Sequence, residues 1–303
     1  MDALPRLYFD SLLKDQNRVT LAHYERSAGV AEVRGSYGIL QKYRRRVQGQ
    51  GQVQEVMIKR PKFTETSPSA FYHEALLQTH IHETLTVAGR AAAAAVFDIF
   101  IENEKVCFSM EYIDGVNCLA FCLAQTHFEK RWLQLLFQLS LLLTFLQKSV
   151  CFDHRDLKYN NVWIRSKPVH FTMMDWEFKC PFEVVILDFG FACLGDGNRN
   201  TVVNLGEGVF DTGDKCPKEG RDLFQFILSF WSEPAFRGRV PSGLRGWIEG
   251  ILSSEYTNLA GRLNSFDWSY LLTHEVDFSQ PQLEPEAVME KIQKYLPVAI
   301  TPL

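Results

Sequence analysis

Residues 153–164 read DHRDLKYNNVWI, a His, an Arg, two carboxylates, a Lys and two adjacent Asn followed by an apolar run. A solvated turn has this composition, and so does a catalytic loop. A second stretch, EVVILDFGFA at 183–192, is an apolar run that ends at Asp188-Phe189-Gly190. A carboxylate at a strand end, followed by Gly, can reach a metal ion. Paired as a hairpin, the apolar parts of the two stretches would bring Asp156, Asn161 and Asp188 into one cleft. A base, an amide and a carboxylate converging there suit Mg²⁺-assisted phosphoryl transfer: the metal neutralises the phosphates and the base orients the attacking hydroxyl.

The elements that must position these residues follow from pattern. Residues 28–60 alternate and break at glycines, with the run QGQGQ as a hairpin tip. Residues 69–87 carry apolar side chains at helical spacing after a Ser and Pro start. GRAAAAAV, from Gly89, extends that helix or packs tightly as a connection. VFDIFIENEKVCFSMEY reads as two strands joined by a polar turn. A long helix is expected at about 128–149, sheet at 151–190, an apolar helix at GRDLFQFILSFW, and a last amphipathic helix at PEAVMEKIQKYL. The expected class is α+β, strand-rich first and helix-rich afterwards, with the boundary near Asp114–Asn117.

Bulk properties narrow the function classes. The chain has 303 residues, 46 % hydrophobic and 22 % charged, with a net charge of −4 and a pI near 6.1. No affinity for nucleic acid or for an anionic membrane is expected, and Lys42, Arg44, Arg45 and Arg46 read as a solvated hairpin face. The run WLQLLFQLSLLLTFLQ is interrupted by Gln134, Gln138 and Gln147 and reads as a buried helix rather than a membrane span. The N-terminus has no positive region followed by an apolar core, so no signal peptide is expected. Seven Cys, at 107, 118, 122, 151, 180, 193 and 216, form no C-x-x-C pair. They read as free thiols of an intracellular protein, cytoplasmic or nuclear, or inside the host cell if the source is viral.

In His154-Arg155-Asp156-Leu157-Lys158-x-x-Asn161 and Asp188-Phe189-Gly190 the chain resembles the protein-kinase superfamily, in the serine/threonine pattern. It is similar to kinases of large DNA viruses and to haspin-like kinases. The resemblance implies a bilobal protein-kinase-like fold: an N-terminal extension at 1–24, an N-lobe at 25–114 and a C-lobe at 115–303. It implies ATP and Mg²⁺ as cofactors and a protein substrate. Asp156 would be the base, Lys158 would contact the transferred phosphate, and Asn161 and Asp188 would hold the metal. Lys59 in VMIK would meet the nucleotide phosphates and pair with Glu74, in preference to Glu83. Val33, Gly35, Ser36 and Gly38 would cover the phosphates. Met110 would stand at the back of the adenine pocket, and the backbone of Glu111 and Ile113 would meet adenine. Asp222 would bond the backbone at His154 and Arg155. Thr201 and Thr212 are candidate phosphorylation sites.

The chain also departs from that pattern. Val33 stands where the first glycine of the phosphate loop belongs. Residues 157–187 form a longer interval than the family usually has, and SKPVHFTMMDWEFKCPFE is expected to form an extra hairpin or flap. No A-P-E follows Asp188, and the chain after GRDLFQFILSFW is short. Two alternatives therefore stand beside a serine/threonine kinase: a small-molecule phosphotransferase of the same fold, and a pseudokinase scaffold. Oligomeric state is not legible.

Overall fold

The computed structural model describes residues 19–27, 32–35, 38–46, 53–62, 68–103, 105–124, 126–195, 203–204, 216–252, 283–296 and 300–302. The fold is α+β. The chain divides into two compact units, residues 1–83 with 93–113, and residues 84–92 with 114–303.

The first unit is built on strands β1 (Tyr24–Arg26), β2 (Val33–Arg34), β3 (Gly38–Arg46), β4 (Val53–Pro61), β5 (Val96–Glu102) and β6 (Lys105–Glu111). They form one antiparallel sheet in the order β1-β3-β4-β6-β5, with β2 paired to β3. Alternate residues face opposite sides of a strand. One set, Tyr43, Val56, Ile58, Phe100 and Cys107, gathers with Tyr24 into a core. The other set, Ile99, Val106 and Phe108, is covered by Phe71, Tyr72 and Ala75 from helix α1 (Pro68–Val87). Val19, Leu21 and Tyr24, which the sequence reading gave to an N-terminal extension, pack in the first of these cores. The Tyr24 hydroxyl bonds Asp98 and Ser109. The basic hairpin face is partly neutralised: Lys42 pairs with Glu55 at 2.8 Å and Arg45 with Asp98 at 2.9 Å.

Helix α1 ends because Gly89 takes a left-handed φ of 74°. The Gly89 and Arg90 N–H groups then turn back onto the carbonyls of Thr86 and Leu85, which satisfies the last turn. GRAAAAAV is accordingly not helical; Ala92, Ala93 and Ala94 are fully buried in an extended connection.

The second unit begins with β7 (Val116–Asn117), α2 (Cys118–Ala124) and α3 (Phe128–Val150). Helix α3 has 23 residues and is long and apolar enough to cross a membrane by length and composition, but most of it is buried within the protein. Its bounds lie within one residue of the helix expected at about 128–149. Its glutamines explain themselves locally: the Gln138 amide donates to the Phe182 carbonyl at 3.2 Å and accepts the Val184 N–H at 2.7 Å. After α3 come β8 (Phe152–Asp153), β9 (Val162–Arg165), β10 (Val169–Met173), β11 (Trp176–Cys180), β12 (Glu183–Ile186), β13 (Cys193–Leu194) and β14 (Val203–Asn204). Helices α4 (Arg221–Trp231), α5 (Pro234–Arg237), α6 (Ser242–Ile251) and α7 (Pro285–Gln293) follow, and then β15 (Ile300–Pro302).

Strands β9 and β12 pair antiparallel, Val162 opposite Ile186, and β7 lies on the other side of β9. The surplus between them is a hairpin, β10 with β11. Sequence reasoning missed its third strand, β15, which pairs with β11 from the far end of the chain. A third small sheet orders β14-β13-β8. The thiols need one correction. Cys193 and Cys216 form a disulfide, 23 positions apart, while Cys107, Cys118, Cys122, Cys151 and Cys180 are free. Nothing in local spacing marks this pair; Cys193 lies in β13 and Cys216 five positions before α4.

Candidate active site

The loop from His154 to Asn161 runs between β8 and β9, and Asp188 follows β12. Because β9 and β12 pair, the Leu187 N–H donates to the Asn161 carbonyl at 2.8 Å, which sets Asn161 beside the approach to Asp188. The amide nitrogen of Asn161 donates to the Asp156 carbonyl at 2.8 Å and to its carboxylate at 3.1 Å. That commits Nδ2 and leaves Oδ1 as the face of Asn161 available to a cation. Lys158 Nζ grips both oxygens of Asp156, at 3.0 and 2.8 Å. Burial pushes the Asp156 carboxyl above its ordinary pKa; Lys158 pulls it back and Asp188 adds to the rise. Asp156, Lys158, Asn161 and Asp188 thus lie in one locality of the second unit.

His154 links the two stretches. It is fully buried, and burial holds its pKa below the usual value. A neutral ring has one donor and one acceptor. Nε2 lies 3.0 Å from the Leu187 carbonyl, and Nδ1 lies 3.4 Å from the Asp156 backbone N–H. The Nε2–H tautomer satisfies both. The Phe189 ring packs against His154 and Phe152, with centroids 5.5 and 6.1 Å apart. Arg155 and Asp188 both take left-handed φ values of 63°. Non-glycine residues are held there only where their surroundings over-determine them, and such places cluster at functional sites.

The floor of the loop is helix α4. Asp222 accepts the His154 N–H at 2.8 Å and the Arg155 N–H at 3.0 Å, as the sequence reading expected. Gln225 accepts the Leu157 N–H at 3.1 Å, and Ser229 accepts the Tyr159 N–H at 3.1 Å. The Tyr159 hydroxyl donates to Glu233 at 2.6 Å. Sequence reasoning missed Gln225 and Ser229. The signal was present: in RDLFQFILSFW the polar residues 222, 225 and 229 follow helical spacing on an otherwise apolar helix.

Asp222 touches a second buried carboxylate. Burial and the Asp153 charge raise the Asp222 pKa well above the usual value. Burial acts on Asp153 too, but the Arg221 charge and hydrogen bonds from Asp222, Arg221 and the Lys218 N–H outweigh it, and Asp153 is held low. Asp153 Oδ1 is buried and accepts no other hydrogen bond.

The first unit carries the other expected residues. Lys59 Nζ meets Glu74 Oε1 at 2.5 Å, with side chains 10 % and 5 % exposed, so the pair is desolvated. Gly38 sits over it: a Cβ there would lie 3.2 Å from Lys59 Cε and 3.2 Å from the Phe71 ring. The Gly35 N–H closes a turn onto the Gly38 carbonyl at 2.9 Å. Val33 is exposed and pairs with Leu40. The Glu111 N–H is taken by the Ala95 carbonyl at 2.8 Å, Met110 Sδ accepts the Gln78 amide N–H at 3.3 Å, and Ile113 is buried. Ser36, Thr201 and Thr212 lie outside the described residues.

The chain matches no protein-family model and no curated protein. Among the described residues no three His, Cys, Asp or Glu side chains gather to hold a metal. Asn161 and Asp188 offer only hard oxygens, a donor set that suits Mg²⁺, which keeps several waters and draws further ligands from phosphate.

Proposed function

We propose that this chain has the bilobal protein-kinase-like fold and transfers the terminal phosphoryl group of ATP to Ser/Thr hydroxyls of a protein. The observation that carries the reading is the loop at Asp156. Its carboxylate is buried, raised in pKa, gripped by Lys158 and Asn161, and close enough to Asp188 to feel its charge. A general base gains from a pKa moved toward the working pH. Asp156 takes the hydroxyl proton of the substrate. Lys158, now bound to both oxygens of Asp156, has the reach to exchange one of them for a phosphate oxygen. Asn161 Oδ1 and Asp188 would hold Mg²⁺, which when bound would neutralise phosphate charge. Lys59, held by Glu74, pairs with the phosphates.

Incubation with labelled ATP, Mg²⁺ and generic protein acceptors tests the reading, with Asp156→Asn as the control. Protein labelling that vanishes in the control supports it. Label on small molecules instead, or no transfer at all, replaces it with the phosphotransferase or the scaffold reading.

A further inference from the structure

Asp153, one residue before His154, is fully buried. Its Oδ2 accepts Arg221 Nε at 3.0 Å, Arg221 Nη2, and the Lys218 N–H at 3.0 Å. Its backbone lies opposite Cys193 in the β8–β13 ladder. One residue therefore joins three stretches: the loop that carries Asp156, the strand after Asp188, and the entry to α4. The first turn of α4 also contains Asp222, whose two oxygens hold the His154 and Arg155 N–H groups.

We propose that Asp153 and Arg221 are a positioning pair for Asp156. The proposal rests on the reading of Asp156 as the base. The pair fixes where α4 begins relative to the loop, and so where Asp222 meets the two N–H groups. Those bonds hold Arg155 at its left-handed φ, and Asp156 is the next residue. A chain free of this constraint would relax Arg155 to negative φ and turn the Asp156 carboxylate away. Stability alone does not require charges here. Buried ion pairs are often replaceable by neutral groups without loss, whereas removing one partner strands the other.

Asp153→Asn and Arg221→Gln, made singly and together, test this. The readouts are the thermal midpoint, kcat, KM for ATP, and hydrogen exchange at residues 154–157. Each single variant is expected to melt lower, because one buried member of the pair loses its counterpart. The double variant is expected to recover most of the midpoint. Its kcat is expected to stay down about 10- to 100-fold, the size of effect that a misplaced catalytic group produces, with KM for ATP within about twofold. Exchange at 154–157 is expected to be at least about tenfold faster than in the parent. A double variant with the parent's kcat and the parent's protection overturns the proposal. Absence of phosphoryl transfer by the parent itself sinks the reading of Asp156; protection then decides the pair alone, and unchanged protection overturns it. Should the double variant fail to fold, Asp153→Glu keeps the charge and moves it by one methylene. Normal kcat and protection in that variant also overturn the proposal.

Discussion

Asp156 stands between two opposed influences. Burial drives its carboxyl toward the protonated form, and Lys158 on both oxygens restrains that drive. The balance has a consequence for stability. The folded-state pKa lies above the unfolded value, so Asp156 contributes most to stability below the unfolded pKa. That contribution is lost as pH rises through the folded pKa. At pH 7 the ionised group is therefore a cost. Asp156→Asn is expected to lower transfer by about 10²–10⁴-fold while melting at or above the parent's temperature at pH 7. The difference should narrow as pH falls through the folded pKa of Asp156. Thermal melts between pH 4 and 8 check this; a variant less stable at pH 7 would mean that the Lys158 bonds outweigh burial. In the parent, transfer should decline on the acid side at a pH above that of an ordinary carboxylate, read from a kcat/KM profile. At this scale the sequence was informative. His154, Asp156, Asn161, Asp188 and Asp222 have distinctive types in a distinctive order. Asp153 and Arg221 were illegible, because a charged residue in a sequence gives no sign that it is buried or of what it meets.

Helix α4 carries the loop on a polar stripe, so its parts are separately testable. Gln225→Ala takes an acceptor from the Leu157 N–H, and an unsatisfied buried donor costs about 1–3 kcal/mol. Chemical denaturation should show that loss, with kcat falling and KM for ATP little changed. An unaltered kcat would mean that Gln225 only fills space. Strand β15 makes a different case. Deleting residues 299–303 leaves the β11 edge, Trp176 to Phe178, without its partner, and an uncovered edge invites pairing between molecules. Light scattering on heating should rise earlier in the truncated chain; identical curves would show that β15 protects nothing. Helices α1, α3, α4 and α7 and the β3–β6 strands were readable from periodicity, as was the extra hairpin from the length of the interval between Asp156 and Asp188. β15 was not, since three residues carry no period and their partner lies more than a hundred positions away.

Across the whole chain, the Cys193–Cys216 disulfide is the feature that composition concealed. An odd number of cysteines without C-x-x-C spacing pointed to free thiols, and only the three-dimensional path pairs these two. A loop of this size is worth about 3 kcal/mol through the entropy of the unfolded chain. Cys193→Ser with Cys216→Ser should lose that much in denaturant titration, and an oxidised parent titrated with a reducing agent should lose the same. A parent that is equally stable oxidised and reduced would refute it. The bond also changes what the polypeptide is as a connected object. From Cys193 to Cys216 the chain is a closed ring with two tails. One tail bears Asp156 and Asp188, and the other bears Arg221 and Asp222. A protease site engineered between the two cysteines and cut once would open the ring without dividing the molecule. On a denaturing gel the nicked protein should run as one species until a reductant is added, and then as two.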